Sequence, residues 1–346
     1  MRRALLIAIV GAALFGPSQF LNAQQAEGPN PEAPWWAYGF QWAPKAGEEA
    51  RECGIPWPMS CFQPRPIPQL EDVPRSLPGA PKPFSRKQAS EWWGPADWYP
   101  NDHPPMPDIV SKGAEHKGVR ACSLCHSALG KGRSENSSVA ALPVTYFLQQ
   151  LELFKTGQRK SADPRKLNSK EMIAMAKALS PEDARAAAEY YASVAWTPRG
   201  KVVETANVPK FRSAGGLYLP LEGEATEPLG MRIIEMPNRP DDLEYLRDPK
   251  ADWTIYAPVG SIEKGKALAT TGGGKTMACG VCHGPNLTGL ASVPPIAGRS
   301  PTYMTRQLYD MQQGARVSPL MKAVVAKLTN EDFVALGAFL ASLDTP

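Results

Sequence analysis

Two stretches of the chain, "ACSLCHSALG" at 121–130 and "ACGVCHGPNL" at 278–287, each carry two cysteines three positions apart with a histidine directly after the second. With six cysteines and four histidines in 346 residues, a chain does not repeat that pentapeptide by accident. Three chemistries compete for Cys122, Cys125 and His126, and again for Cys279, Cys282 and His283. Structural zinc commonly takes four cysteine or histidine ligands. The first copy could recruit His103 or His116, but the second has no other cysteine or histidine near it. A thioredoxin-like dithiol wants a strand–helix setting in an α/β domain, and no such pattern flanks either copy. Covalent c-type haem suits both: the thiols add to vinyl groups as thioethers, and the adjacent histidine, on the same helical turn, binds iron from one face. Two covalently attached haems c are therefore the expectation, with zinc and a dithiol as the open alternatives.

The second axial ligand follows from a longer repeat. "YFLQQLELFKTGQR" (146–159) aligns with "YMTRQLYDMQQGAR" (303–316) at an offset of 157, the same as between Cys122 and Cys279. "MIAMAKALSPEDARAAAEYYASV" (172–194) aligns with "MKAVVAKLTNEDFVALGAFLASL" (321–343) at an offset of 149, so the first copy holds eight extra residues. Met172 and Met321 take the same place in this alignment, 46 and 38 positions after their histidines. That is chain enough to return to the far face of the ring, and thioether sulfur holds ferrous iron well. Core filling is the ordinary use of a methionine. For the first copy, Met175, His116 and His103 compete with Met172. Met304 and Met311 align with Phe147 and Phe154 and are expected to be packing residues.

The elements that must position these residues read as helices. In "TNEDFVALGAFLASL", Phe333, Leu336, Phe339, Leu340 and Leu343 recur at three- and four-residue steps and form one apolar face. Thr329 with Asp332 resembles a capping box, and Ser180, Pro181 and Asp183 supply a cap, a first-turn proline and an acidic first turn. Each copy is thus expected to end in a capped amphipathic helix. Residues 198–257, rich in proline, glycine and charge, read as a linker with one small hairpin or strand pair around "GLYL" and "MRIIEM", without chemistry of its own.

On these residues the chain resembles the class I cytochromes c and, more closely, the di-haem cytochrome c4-like arrangement of two such domains in one chain. The resemblance covers roughly 110–196 and 258–346; in the second copy it takes in "GSIEKGKAL", "CGVCHG" and "VPPIAGRSPTYMTRQLYDMQQGAR". It implies a mainly α fold, two tandem class I cytochrome c helical domains at 104–197 and 258–346. A Pro/Trp-rich irregular arm (24–103) and an irregular linker (198–257), read from composition, lie outside the core that the resemblance covers. In that family a loop proline lends its carbonyl to the free N–H of the histidine, which fixes the ring. The matching residue is Pro294 in "PPIAG", whereas the first copy has Ser137 there.

Composition sets the compartment. "MRRALLIAIVGAALFGPSQFLNAQ" joins a basic start, an apolar run too short to span a membrane and a small-residue finish, and reads as a signal peptide over 1–23. An exported, periplasmic chain follows. Without Arg2 and Arg3 the formal charge falls from +4 to about +2, which suggests no nucleic-acid partner. Seven of nine tryptophans precede residue 100, in a proline-rich segment expected to pack through its indoles. Cys53 and Cys61, eight positions apart, are expected to form a disulfide in that oxidising compartment.

A His/Met iron has no open position for substrate, so the expected function is electron transfer between periplasmic redox proteins, with no enzymatic activity. Dehydrogenases, oxidases and other cytochromes are the expected partners, and any membrane association would run through one of them. Lys131 with Arg133, or Lys275, could steer an acidic partner, or be ordinary solvated surface. The alternatives are a cytochrome subunit of a periplasmic dehydrogenase or oxidase complex, with the aromatic arm as its docking surface, or a di-haem peroxidase.

Overall fold

A computed structural model describes residues 33–43 and 72–344. The expected signal peptide and the Cys53–Cys61 disulfide lie outside the described residues. In chain order the helices of the first half are α1 (Arg86–Ala89), α2 (Asp108–Ser111), α3 (Cys122–His126), α4 (Val144–Lys155), α5 (Leu167–Ala178) and α6 (Pro181–Ser193). Next come β1 (Gly200–Glu204), β2 (Asn207–Pro209), β3 (Phe211–Ala214), β4 (Leu217–Pro220), β5 (Thr226–Pro228), β6 (Ile234–Pro237), α7 (Pro240–Leu246) and β7 (Trp253–Ala257). The second half closes with α8 (Ser261–Thr271), α9 (Gly280–His283), α10 (Pro301–Gln312), α11 (Pro319–Val325) and α12 (Asn330–Ala341).

The sequence repeat is a structural one: α3, α4, α5 and α6 recur as α9, α10, α11 and α12. Ser180 accepts from the Asp183 amide at the start of α6, with Pro181 in its first turn. Thr329 and Asp332 close a reciprocal capping box on α12. The apolar face of α12 is buried at Phe333, Leu336, Phe339 and Leu340 against α8 and α10. Gly265 lets α8 lie this close, since a Cβ there would sit 2.0 Å from the Ala335 carbonyl oxygen. Where α8 precedes the second motif, the first repeat has the four-residue α2, packed on α3 and α6.

The mainly α class holds, but 198–257 is more ordered than a linker with one hairpin. β1 pairs parallel to β7 and β6 pairs antiparallel to it, giving a three-stranded sheet in the order β1-β7-β6. β2–β5 and β3–β4 form two further antiparallel pairs, and the two β-like runs part company: "GLYL" pairs in β3–β4 and "MRIIEM" in β6–β7. The strands are three to five residues long, and β2, β4, β5 and β6 each end in a proline. Proline cannot donate to a ladder, so such runs do not read as paired strands in sequence. Ile233, Ile234 and Ile255 of this insert share one core with Leu268, Phe333 and Leu336 of the second repeat.

Arg199 and Glu235 fasten the insert to both repeats. Their fully buried side chains pair at 2.9 Å, and Glu235 also accepts from the hydroxyls of Ser300 and Thr302 at the start of α10. Arg199 lies over Trp253 and donates to the Gly132 carbonyl, 3.0 Å away, in the loop behind α3. The arm packs as expected through indoles: Trp98 is buried and donates to the Leu246 carbonyl at 3.0 Å, and Trp36 joins the main core.

Candidate functional site: two matched Cys-x-x-Cys-His helices

Each motif forms one short helical turn, with its histidine last. The ring Nδ1 of His126 lies 2.9 Å from the carbonyl oxygen of Ser137, and that of His283 lies 2.8 Å from that of Pro294. A carbonyl oxygen only accepts, so Nδ1 carries the proton in both rings and Nε2 keeps its lone pair. Burial pushes the pKa of both histidines down, so each ring is neutral. Ser137 therefore serves as well as the proline expected at its place, because the acceptor belongs to the backbone. The thiols of Cys122, Cys125, Cys279 and Cys282 are unpaired. Burial raises the Cys122 thiol to about 12 and also raises Cys279.

The methionines lie on helices tied to their motifs. Arg120, two residues before Cys122, pairs at 3.0 Å with Glu171, the neighbour of Met172 on α5, and both charges are buried. The Thr276 hydroxyl, three residues before Cys279, donates to the Val324 carbonyl on α11 at 2.7 Å, on the helix that bears Met321. Met172 and Met321 are both half-buried, and Met321 borders the same core cluster as Cys279. Met304 and Met311 are buried in that core, as packing residues should be. His103 and His116 are not drawn in: His103 has one ring nitrogen on the Pro104 carbonyl and the other on Asp97, and His116 is exposed in a 3-10 turn.

Between the repeats lies a polar cluster whose role was not read from sequence, although its members align. Arg159 donates to Gln150 of its own repeat at 2.9 Å and to Tyr303 and Gln307 of the other at 2.8 and 3.2 Å. Arg316 mirrors it, donating to Gln307 at 2.8 Å and to Tyr146 and Gln150 at 2.6 and 2.8 Å. Both guanidinium groups are buried, and their hydrogen-bond partners here are phenols and amides, which carry no negative charge. The site thus has room, electrostatically, for added carboxylates.

The arrangement tests the three chemistries. Among the described residues no group of three or more His, Cys, Asp and Glu side chains converges to hold a metal ion, which disfavours structural zinc. Neither motif helix follows a strand, which disfavours a thioredoxin-like dithiol. Paired thiols on one turn, a neutral imidazole with a free Nε2 and buried arginines bonded to phenols and amides rather than to carboxylates fit a haem with its two propionates. Of the cations that could steer an acidic partner or be ordinary surface, Lys131 is buried, Arg133 pairs with Glu135, and Lys275, 41% exposed, pairs with Asp332 at 2.6 Å.

Related sequences point the same way. No family model matches the chain. A cytochrome c4 of Azotobacter vinelandii is 30% identical over 164 residues, 40% of this chain and 77% of that protein. A thiosulfate dehydrogenase electron acceptor of Stutzerimonas stutzeri is 36% identical over 86 residues, 24% of this chain and 40% of that protein. Among solved structures, reduced recombinant cytochrome c4 from Pseudomonas stutzeri gives a TM-score of 0.41 at 24% identity, covering 64% of this chain and 93% of that one.

Proposed function

From the premise that this chain belongs to the cytochrome c4 family, we propose that its two motif helices each hold a covalent haem c, through Cys122 and Cys125 and through Cys279 and Cys282, and pass electrons between redox proteins of the periplasm. The bound group supplies a one-electron iron couple. The chain supplies everything that keeps that couple reversible. His126 and His283 are the proposed ligands on one face, held in one tautomer and one orientation by the Ser137 and Pro294 carbonyls. Met172 and Met321 are the proposed ligands on the other face, brought back by α5 and α11. Arg159 and Arg316 would take the propionates and hold the two modules together by the same contacts.

The matched histidine-to-carbonyl bond in both repeats is the observation that carries this reading. Two irons so closed by His and Met on both faces would leave no site for peroxide, and the ligand set therefore favours a carrier over a peroxidase. The similarity to an electron acceptor of thiosulfate dehydrogenase supports a dehydrogenase as the donor. Export rests on the leader-like start of the sequence; among the described residues no helix is long and apolar enough to cross a membrane.

The test is the electron paramagnetic resonance spectrum of the fully oxidised, haem-loaded chain. Two low-spin signals are expected. A high-spin signal from half the haem would mean one open iron and would turn the reading toward peroxide or another small ligand.

A further inference from the structure

The two motifs are equivalent in sequence and opposite in exposure. Leu124 and Val281 hold the same place between their cysteines, yet Leu124 is 6% exposed and Val281 66%. Cys125 is half-buried and Cys282 is exposed. The cover over the first motif comes from outside the repeat. Arg247, at the end of α7, donates to the Leu124 carbonyl, the Ala121 amide donates to the Trp92 carbonyl at 3.0 Å, and Arg120 stacks on Trp92. A cavity of about 30 Å³, room for about one water, lies between the arm residues Trp98, Tyr99 and His103 and the motif residues Leu124 and Cys125.

Among the described residues nothing comparable covers the second motif, and its chemistry differs. From Thr276 to Gly298 the chain has no Asp, Glu, Lys or Arg, and Met277, Val281 and Leu290 are 51, 66 and 56% exposed. The equivalent stretch of the first repeat carries Arg120, Arg133 and Glu135, which turn inward to ion pairs within the fold, and Lys131, which is buried. The exposed sulfur of Cys282, among uncharged apolar side chains, would as a haem thioether be a short path for an electron, and the surface around it is one that a charged partner would not desolvate well.

We infer that the uncharged face around Cys282 is where this chain exchanges electrons with another redox protein, one that presents an apolar, uncharged surface over its own redox centre. The arm and the β insert close the corresponding face of the first module, so its haem exchanges electrons through the second. This assignment rests on the carrier reading above. It separates from it experimentally, because a chain without a redox-active haem would show no exchange in any variant, whereas a carrier that uses another face would exchange at the wild-type rate in both module-two variants.

A second copy of the chain carries such a face by construction, so electron self-exchange is the probe. It is read from the broadening of haem methyl resonances in a half-reduced sample of the full haem-loaded chain. The wild-type rate is expected to change little between about 10 mM and about 500 mM salt, the range over which screening of a charged interface would show. Val281→Glu and Leu290→Glu each put like charges opposite one another, and should slow exchange several-fold at low salt and recover at high salt. Leu290→Glu lies outside the motif and keeps the test decisive if Val281→Glu attaches haem poorly. Val73→Glu, an equally exposed position on the arm, should leave the rate unchanged. Wild-type rates in both module-two variants at low salt, or equal slowing by Val73→Glu, would overturn the assignment.

Discussion

Arg159 donates to the hydroxyl of Tyr303 at 2.8 Å, and Arg316 returns the same bond to Tyr146, so the two repeats meet about an approximate two-fold axis within one chain. An antiparallel bridge between Arg159 and Arg316 themselves completes the contact. Each phenol accepts from a buried cation, and such a bond is worth more than a neutral one. Tyr303→Phe should therefore lower the stability of the haem-loaded protein by about 1.5–3 kcal/mol, the usual worth of a hydrogen bond to a charged group. Denaturant unfolding reads the change. In the double variant with Arg159→Lys the loss should be less than the sum of the two single losses, because both remove the same bond.

Ser127 follows His126 with φ 61° and ψ 162°, and Gly284 follows His283 with φ 81° and ψ 158°. The fold asks for the same turn in both repeats, and only the second meets it with glycine. A side chain in that region costs on the order of 1–3 kcal/mol, while glycine loses about 0.5–1 kcal/mol in chain entropy. Ser127→Gly should thus stabilise the protein by about 1 kcal/mol, and Gly284→Ser should destabilise it, since a Cβ there would meet the Gly289 carbonyl oxygen at 2.8 Å. Thermal unfolding of the two variants would show opposite shifts, and a loss of stability in Ser127→Gly would refute the strain.

Asp310 and Lys166 predict how stability varies with pH. Both are buried where the arm residue Tyr38 meets the two repeats: the Tyr38 hydroxyl donates to Asp310 at 2.8 Å, and Lys166 donates to the Tyr38 carbonyl at 3.2 Å. Burial raises the Asp310 carboxyl to about 6, and burial with the nearby Arg306 lowers the Lys166 ammonium to about 7. Between about pH 4 and 6 the folded chain holds a proton on Asp310 that the unfolded chain has lost, so stability falls as pH rises. From about pH 7 to 10 the unfolded chain holds the extra proton, on Lys166, so stability rises with pH. Asp310→Asn should flatten the first slope and Lys166→Met the second, in unfolding free energies measured from pH 4 to 10 as differences from wild type.

The capped closing helices and the repeat are legible in the sequence because Ser180, Thr329 and the apolar steps of α12 act locally, within one or two turns. The histidine partner of the first repeat was not, because Ser137 acts through a carbonyl that every residue carries. The insert was obscured by its prolines, which cap short strands instead of breaking them. Exposure around the motifs is hidden for a different reason. Leu124 and Val281 differ in what other segments do: Arg247 and Trp92 cover one, and no local pattern announces a cover supplied from 123 residues away.

Met321 and Met172 give the sharpest test of the proposed ligands. Both sit on helices tethered to their motifs, but the tethers differ. Met321 borders the core cluster that includes Cys279, while Met172 stands beside the buried Arg120–Glu171 pair. Met321→Ala should leave the second haem attached, since the thioethers and His283 remain, and should open its sixth position. Loss of the thioether removes a ligand that raises the potential, so the potential of that haem should drop by an appreciable part of the ~0.8 V that axial ligands can command. Met172→Ala should do the same to the first haem, but the arm covers the first motif, so an added ligand such as cyanide should bind there more slowly than at the second. Potentiometric titration of each variant, followed by cyanide binding, reads both effects. An unchanged potential without cyanide binding would remove that methionine from the ligand set, and Met175, one turn along α5 from Met172, would be the next residue to replace in the first module.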